Sequence, residues 1–279
     1  MFLYSFCKLT DALCLFNLCG LVYNFLFLAH YNNRMKNAVR KAVVAAAGKG
    51  TRMLHLAVNK PKHLIKVRNR PFLYYVLRNL RDAGIAEIIL VVGHKKEAME
   101  KFVQEHKNEF SVKLIDQFET AGTEKYGTAI PIWCVKEAVN NEPFLALFGD
   151  NIYSPKDIKS LAIGNEYTYI SGFKHAHPEK YGVLLTQRGI LKDIIEKPTH
   201  YISNLIYTGL AKFTPEIFEV IDRVGISPRG EYELTDAIKI LAKQGKVKVR
   251  EIKDYWFDFG NPADVIRVSA FFEQNANNN

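Results

Sequence analysis

Apolar and polar positions follow two different rhythms along the chain, and the change between them lies near residue 150. Before it, short apolar runs alternate with segments whose apolar residues recur at helical spacing. The predicted strands are residues 43–47, 87–92, 112–116 and 144–148, and the predicted helices are residues 71–84, 95–106 and 128–139. Strands that alternate with helices favour a mainly parallel sheet with helices on both faces.

After residue 150, predicted strands follow one another with short connections, which favours an antiparallel or mixed region forming the second half of a cleft. The strands are residues 167–173, 181–186, 190–196, 206–213 and 246–252; the helices are 215–221, 234–243 and about 262–272. Residues 273–279 are expected to be a disordered tail. The sequence thus predicts an α/β domain over residues 35–279, with a smaller antiparallel lobe and no internal repeat.

Composition narrows the class of partner. The chain has 279 residues, 48% of them hydrophobic, and a net charge of +9, which favours anionic ligands. An arginine-rich arm, zinc-finger spacing and an RNA-recognition signature are absent from the sequence, so phosphorylated small molecules are preferred over nucleic acid. Outside the first 34 residues the sequence has a single cysteine, Cys134, and this pattern is typical of a protein of the reducing cytoplasm.

Residues 1–34 differ in composition from the rest. Residues 12–29 are nearly continuously apolar and reach the lower limit for a membrane span, although Asn17 and Asn24 interrupt them. If they are an anchor, the basic residues that follow place the rest of the chain in the cytoplasm. The alternative is a leader that arises from a start-site artefact, with Met35 as the true first residue.

A glycine-rich turn after the first predicted strand suggests a site for a nucleoside triphosphate. Gly48 and Gly50 allow backbone N–H groups to approach phosphates closely, and the cations Arg52 and Lys62 follow. The spacing excludes the dinucleotide-binding fingerprint, because Met53 stands at the third glycine position, and it also excludes a Walker loop.

Two aspartates lie in predicted loops on the same side of the sheet. Asp150 follows the strand at residues 144–148, and Asp258 lies among aromatic residues. Either could be a turn former or a helix cap. If both face triphosphate oxygens, they would bind Mg²⁺, which needs few protein ligands because it keeps several waters.

These features belong to an ordered series of motifs. The series consists of Ala46–Arg52 with Pro61-Lys62, Gly149-Asp150-Asn151, Tyr181-Gly182-Val183, Glu196-Lys197-Pro198, Thr208-Gly209-Leu210, Gly230–Asp236 and Trp256-x-Asp258-x-Gly260. Over residues 41–272 it resembles the nucleotide-sugar pyrophosphorylases, that is, the sugar-1-phosphate nucleotidyltransferases. The resemblance is greatest to glucose-1-phosphate thymidylyltransferases and uridylyltransferases.

The resemblance implies a Rossmann-like nucleotide-diphospho-sugar transferase fold, with residues 41–150 as the nucleotide-binding half and 151–272 as the sugar-binding half. It implies that Arg52, Lys62 and Asp150 are catalytic and that Asp150 and Asp258 bind Mg²⁺. The implied nucleotide ligands are Ala47, Gly48, Gly50, Thr51, Arg52, Gln117 and Gly127. The implied ligands of the sugar phosphate are Gly182, Glu196, Lys197 and Thr208.

The implied reaction is attack of a sugar 1-phosphate on the α-phosphorus of a nucleoside triphosphate, with release of pyrophosphate. The expected substrates are dTTP or UTP and glucose 1-phosphate; cytidylyl and guanylyl transfer stay open, as does a homo-oligomer. A non-catalytic nucleotide-sugar sensor on the same fold is the alternative. The acyltransferase domain of bifunctional relatives does not follow residue 272, so we expect no acetyltransferase activity.

The chain departs from the family pattern on the far side of the glycine turn. His55 and Lys66 stand where proline is usual, and Ala57 stands where threonine is usual. The segment between Gln117 and Gly127 is longer than is typical. We therefore expect the loop's shape, rather than its charges, to differ from that of relatives.

Overall fold

A nine-stranded mixed sheet runs through the part of the chain that the computed structural model describes, residues 39–276. Residues 39–162 and 166–276 belong to one structural unit. The predicted leader at residues 1–34, with the apolar segment 12–29, lies outside the described residues, as do residues 277–279. Within residues 39–276, no helix has both the length and the apolar character that a membrane crossing requires.

Nine strands were predicted, and four strands of only two or three residues were not; the described residues contain all thirteen. They are β1 (Lys41–Ala45), β2 (Lys66–Val67), β3 (Arg70–Pro71), β4 (Glu87–Val92), β5 (Val112–Asp116), β6 (Phe144–Phe148), β7 (Asn151–Tyr153), β8 (Thr168–Lys174), β9 (Gly182–Gln187), β10 (Ile190–Glu196), β11 (Leu205–Phe213), β12 (Val247–Glu251) and β13 (Trp256–Asp258). The prediction for β1 was two residues too late: Ala46 still bonds to the Val91 carbonyl oxygen at 2.8 Å, but the chain then leaves the sheet.

The α-helices cover both faces of this sheet. They are α1 (Phe72–Asp82), α2 (Lys96–Glu105), α3 (Gln117–Ala121), α4 (Ile130–Trp133), α5 (Pro155–Leu161), α6 (Ile217–Ile221), α7 (Leu234–Lys243) and α8 (Pro262–Ala276), and short 3₁₀ helices lie at Thr51–Ala57, Lys62–Leu64 and Pro178–Lys180. On β1, Ala42 and Val44 join one core cluster, and Val43 joins the other. Both faces are therefore buried, which explains the uninterrupted apolar runs.

The order of strands in the sheet is β5-β4-β1-β6-β11-β8-β12-β10-β9. The first four are parallel, as predicted. From β6 onward the neighbours are antiparallel except for β8 and β12. Val183 of β9 also pairs with Ile206 of β11, so this half of the sheet curls back on itself. The predicted antiparallel lobe is therefore a continuation of the same sheet and not a separate one.

Two predictions on helix length were wrong. Only Ile130–Trp133 of the predicted helix at residues 128–139 is helical; turns follow it as far as Asn140 and Asn141, both of which have positive φ. The last helix runs to Ala276 instead of ending near 272, because Phe271 and Phe272 pack on the core and nothing in the sequence breaks the helix.

Candidate active site

A cleft of about 690 Å³ lies at the carboxyl ends of β1 and β6, the edge at which ligands bind in open α/β sheets. Twelve of the fourteen residues predicted for the site line it: Ala47, Gly48, Arg52, Lys62, Gln117, Gly127, Asp150, Gly182, Glu196, Lys197, Thr208 and Asp258. The other two, Gly50 and Thr51, lie beside it. The sequence-predicted residues therefore come from both halves of the chain and meet in one place.

The glycine turn shapes one end of the cleft. Gly50 has a φ of 68°, and a β-carbon there would lie 3.1 Å from the Lys62 β-carbon, so glycine lets the turn pack directly on that lysine. Met53 is fully buried, and its N–H bonds to the Gly50 carbonyl oxygen at 3.0 Å, which anchors the turn. Gly50 thus supports the position of Lys62 from outside the cleft.

The far side of the turn, where the chain departs from the family pattern, is irregular. Leu54 interrupts the 3₁₀ segment with φ 51° and ψ −130°, in the stretch that contains His55 and Ala57. The Nζ of Lys95 donates to the Ala57 carbonyl oxygen at 2.7 Å and to that of Val58 at 2.6 Å. Lys95 therefore satisfies two backbone carbonyl groups at the end of the segment.

The centre of the cleft holds a buried ion pair between Lys62 and Asp150. Their side chains are 12% and 15% exposed. Burial on its own raises the pKa of Asp150, but the neighbouring Lys62 and His63 together with hydrogen bonds outweigh it, so the pKa lies below its usual value. Asp150 is therefore a carboxylate at neutral pH.

The second predicted metal ligand lies next to the first. Asp258 ends β13, which pairs with β7 so that Asp258 stands opposite Asn151, and the Phe259 N–H bonds to the Asp150 carbonyl oxygen at 2.8 Å. Burial, and then the charge of Asp150, raise the pKa of Asp258 to about 6. Two carboxylates that repel each other in a buried place are typical of a cation site.

Arg52 lies close to the same carboxylates. A β-carbon at Gly260 would be 3.5 Å from both the Arg52 Nη2 and the Asp258 Oδ1, which shows how near these two groups are. Arg52 also lowers the pKa of Asp258, although burial and Asp150 have the larger effect. Two cations and two carboxylates therefore converge at this end of the cleft.

His63 is a central residue that sequence reasoning missed. It lines the cleft, is 2% exposed, and packs so closely on Gly149 that a β-carbon there would be 3.1 Å from its Cδ2. Burial and the charge of Lys62 lower the pKa of His63 to about 3, with Asp150 opposing. At neutral pH the ring is therefore uncharged, and there it contributes packing beside the ion pair rather than charge. Its position directly after Lys62 was the only signal.

Gln117 occupies a side pocket of the cleft at the start of α3. Asp116 caps this helix by accepting from the Phe118 N–H at 2.8 Å and the Glu119 N–H at 3.3 Å, and Lys96 pairs with Asp116 at 2.9 Å. The Gln117 side chain is 4% exposed, and its Oε1 accepts no hydrogen bond from any described residue. A buried acceptor without a donor is rare in proteins and is typical of a ligand contact.

The opposite end of the cleft is built by β9, β10 and β11. Gly182 pairs with Glu196, and a β-carbon at Gly182 would lie 3.1 Å from the Glu196 Oε2. Lys197 follows with a φ of 44°, a strained value for lysine, while its N–H bonds to the Tyr181 carbonyl oxygen at 3.0 Å. Strain of this kind is concentrated at functional sites.

Arg229 was missed by sequence reasoning, although it directly precedes the Gly230–Asp236 motif. Its guanidinium group forms ion pairs with three carboxylates: Glu196 at 3.2 Å, Glu231 at 3.4 Å and Glu233 at 3.5 Å. Arg229 therefore fixes the side chain of Glu196, one of the residues predicted to hold the sugar.

Gly127 joins the two ends of the cleft. A β-carbon at Gly127 would lie 2.3 Å from the Tyr232 carbonyl oxygen, and φ is 133°. On either side of it, the Ala129 N–H bonds to the Tyr232 carbonyl oxygen and the Tyr232 N–H bonds to the Tyr126 carbonyl oxygen, both at 2.9 Å. The loop after Gln117 is thus docked by its backbone on the segment that contains Arg229.

Comparison with known proteins agrees with this geometry. The family model described as nucleotidyl transferase matches residues 41–275. The chain is 37% identical over 232 residues to the bifunctional protein GlmU of Methanocaldococcus jannaschii, an alignment that covers 82% of this chain and 53% of that protein. It is 33% identical over 231 residues to the UTP–glucose-1-phosphate uridylyltransferase AglF of Haloferax volcanii, covering 80% and 93% respectively.

Among solved structures, a UDP-glucose pyrophosphorylase complexed with UDP-glucose superposes with a TM-score of 0.73 at 23% identity, covering 85% of this chain and 99% of that one. This likeness shows that the fold is shared. The chain spans about half the length of the first curated relatives it matches.

Proposed function

The chain belongs to the nucleotidyl transferase family, and on this premise we propose that it transfers a nucleoside monophosphate from a nucleoside triphosphate to a hexose 1-phosphate. The observation that carries the proposal is the single cleft in which the Lys62–Asp150 pair and Asp258 face Glu196 and Lys197. One end, the donor end, contains Lys62, Asp150 and Asp258 and offers cations and carboxylates to a triphosphate. The other, the acceptor end, contains Glu196 and Lys197 and offers a cation and a carboxylate to a sugar phosphate.

The donor nucleotide would lie on the glycine turn. Gly48 leaves room for its sugar and phosphates, and Arg52 and Lys62 would neutralise the triphosphate. The unpartnered Oε1 of Gln117 supports a base with an N–H at its edge, and the amide nitrogen supplies a donor to a neighbouring carbonyl. Uracil and thymine have this pair of groups, and so does guanine; the similarity to the uridylyltransferase AglF supports UTP or dTTP over GTP as the donor.

The donor set fits Mg²⁺. Asp150 and Asp258 would hold the ion, and Mg²⁺ commonly takes one or two carboxylates together with substrate phosphates. Within residues 39–276 no cluster of three or more His, Cys, Asp or Glu side chains is placed to bind a metal, so phosphate oxygens and water would complete the coordination. When bound, the ion would neutralise charge on the phosphates between which the bond is broken.

Catalysis would then rest on alignment and charge. The attacking oxygen of a sugar phosphate is already anionic at neutral pH, so no side chain has to remove a proton. Lys197 would hold the acceptor phosphate, Glu196 the hexose, and Lys62 would stabilise the charge that develops on the α-phosphate. Asp150 keeps Lys62 in place, because the two side chains form a buried pair.

A substrate panel tests the proposal directly. The protein is incubated with Mg²⁺, each of UTP, dTTP, CTP and GTP, and glucose, mannose or N-acetylglucosamine 1-phosphate, and pyrophosphate release is measured. We expect release with a pyrimidine triphosphate and glucose 1-phosphate. Absence of release with every pair would reject the proposed activity. Binding of a nucleotide sugar without turnover would instead favour a sensor.

A further inference from the structure

Tyr207 of β11 has a buried hydroxyl group that the fold does not use. The side chain is 8% exposed and lines the cleft, yet its OH has no hydrogen-bond partner among residues 39–276. Tyr153, another buried tyrosine nearby, is different: its OH donates to the Thr208 carbonyl oxygen at 2.6 Å. The hydroxyl of Tyr153 is therefore satisfied by a hydrogen bond within the described chain, whereas that of Tyr207 is not.

An unsatisfied buried hydroxyl lowers stability, because folding removes it from water and returns no hydrogen bond. Phenylalanine would fill the same space without this cost. Burial raises the pKa of Tyr207, so the hydroxyl stays protonated and can both donate and accept. The presence of tyrosine at this position is explained if a ligand in the cleft supplies the missing partner.

Tyr207 precedes Thr208, one of the residues predicted to hold the hexose, on the part of β11 that borders the cleft. The pairing of β11 with β8 is irregular between Tyr207 and Ala211, and both Tyr207 and Thr208 line the cleft, whereas neighbouring residues of a regular strand point to opposite faces. The Thr208 Oγ1 is already bonded to the Ser171 Oγ at 2.5 Å. Of these two hydroxyls, only that of Tyr207 is without a protein partner in the described chain.

We propose that Tyr207 is a specificity-determining residue, whose hydroxyl group hydrogen-bonds a hydroxyl of the hexose at the acceptor end of the cleft. This inference rests on the proposed function, because it takes the ligand to be a hexose phosphate. A site built to hydrogen-bond a substrate hydroxyl rejects analogues that lack it. Tyr207 would therefore select among sugars rather than among bases.

The test measures binding and so does not depend on turnover. Calorimetry compares the unmodified protein with Tyr207→Phe, each titrated with UDP-glucose and with UDP, and with the corresponding dTDP pair. We expect Tyr207→Phe to weaken nucleotide-sugar binding roughly three- to tenfold and to leave nucleoside diphosphate binding unchanged. An unchanged affinity for the sugar nucleotide, or equal weakening for both ligands, would overturn the inference.

Deoxy analogues of the hexose identify the contacted group. Among glucose 1-phosphates lacking one hydroxyl each, a single analogue should show the same kcat/KM with the unmodified protein and with Tyr207→Phe. If Tyr207→Phe changes kcat/KM by the same factor for every analogue, the inference is wrong. If the sugar nucleotide binds but nothing turns over, the proposed function fails while the calorimetric result still decides the inference. If none of the four ligands binds, both are rejected.

Tyr153→Phe is the matched control for folding. It removes a satisfied hydrogen bond and should lower the Tm, whereas Tyr207→Phe should leave the Tm unchanged or raise it. A clear fall in the Tm of Tyr207→Phe would show that the hydroxyl serves the fold, and would contradict the inference.

Discussion

The two ends of the cleft hold their charges in different ways. At the donor end, Lys62 and Asp150 are 12% and 15% exposed and pair with each other. At the acceptor end, the side chains of Arg229 and Glu196 are 42% and 35% exposed, and the Arg229 guanidinium forms ion pairs with three carboxylates. Charges interact more strongly away from water. The donor end is therefore built to stabilise charge, and the acceptor end can vary its contacts at lower cost.

Asp150→Asn should have the largest effect, since it removes the carboxylate shared by the ion pair and the proposed metal site. Turnover at saturating substrates should fall by about a thousandfold or more. Lys62 would lose its buried partner, which should lower the free energy of unfolding by about 3 kcal/mol. Pyrophosphate release and urea denaturation measure the two effects.

Asp254→Asn is the control for that substitution. Asp254 is exposed and does not line the cleft, so its variant should retain both activity and stability. Turnover by Asp150→Asn at the level of this control would remove Asp150 from the mechanism and would end the contrast between the two ends.

Lys197→Met tests the acceptor end. Loss of the cation should raise KM for the sugar 1-phosphate about 10- to 100-fold with little change in KM for the nucleotide, because a charge-assisted bond to one substrate is lost. Lys192→Met, at an exposed position on β10 outside the cleft, should leave both KM values unchanged. Steady-state kinetics with each substrate varied in turn would show the split. Equal rises in the two KM values for Lys197→Met would contradict this assignment.

Gly127→Ala tests whether the two ends depend on each other. The new β-carbon would collide with the Tyr232 backbone, which should undock the loop and raise KM for both substrates several-fold, with a loss of about 2 kcal/mol in stability. Gly122→Ala is the matched variant, because Gly122 also has a positive φ but has nothing within 4 Å of its β-carbon position. If both variants behave alike, backbone strain and not the docking contact is responsible.

The smallest expected effect is the loss of stability on replacing Asp116, which caps the helix that begins at Gln117. Burial alone raises the pKa of Asp116, but Lys96 and the N–H groups of Phe118 and Glu119 outweigh it, and the folded pKa is lowered. A lowered pKa stabilises the fold above the unfolded value of about 4, and that stability is lost as the pH falls through the folded value. Asp116→Asn should cost about 1 kcal/mol at pH 7 and less at pH 3. Denaturation curves at both pH values measure this; equal losses would contradict it.

The buried strands could be predicted from the sequence because both faces of the sheet are covered. Residues 87–92, 112–116 and 144–148 were predicted with the observed bounds, since continuous apolar runs leave little choice of boundary. The predicted helix at residues 128–139 shows the limit of this reasoning. Ile132, Val135 and Val139 are buried there, but a series of turns buries them as well as a helix would.

Motifs mark many of the charged residues that line the cleft, and the rest of the site depends on pairing between distant segments. Asp258 faces Asp150 through β7 and β13, each of only three residues, and strands that short have no recognisable period. Neither the pairing of Arg229 with Glu196 nor the place of Tyr207 beside Thr208 in the lining of the cleft follows from local sequence. The first is a contact across the cleft, and the second comes from an irregularity between two strands.

The distance along the chain between Asp150 and Asp258 has a consequence for biosynthesis. A nascent chain emerges from the ribosome with the glycine turn, Lys62 and Asp150 long before β13 and its aspartate are made. The helix α8 follows β13 in the chain and packs on residues made much earlier. The Phe272 ring stacks on Tyr75, and the Phe272 carbonyl oxygen accepts a hydrogen bond from Arg68 at 3.1 Å. The two carboxylates therefore come together only after β13 and α8 have been made, so a chain that stops before them cannot form the full cleft.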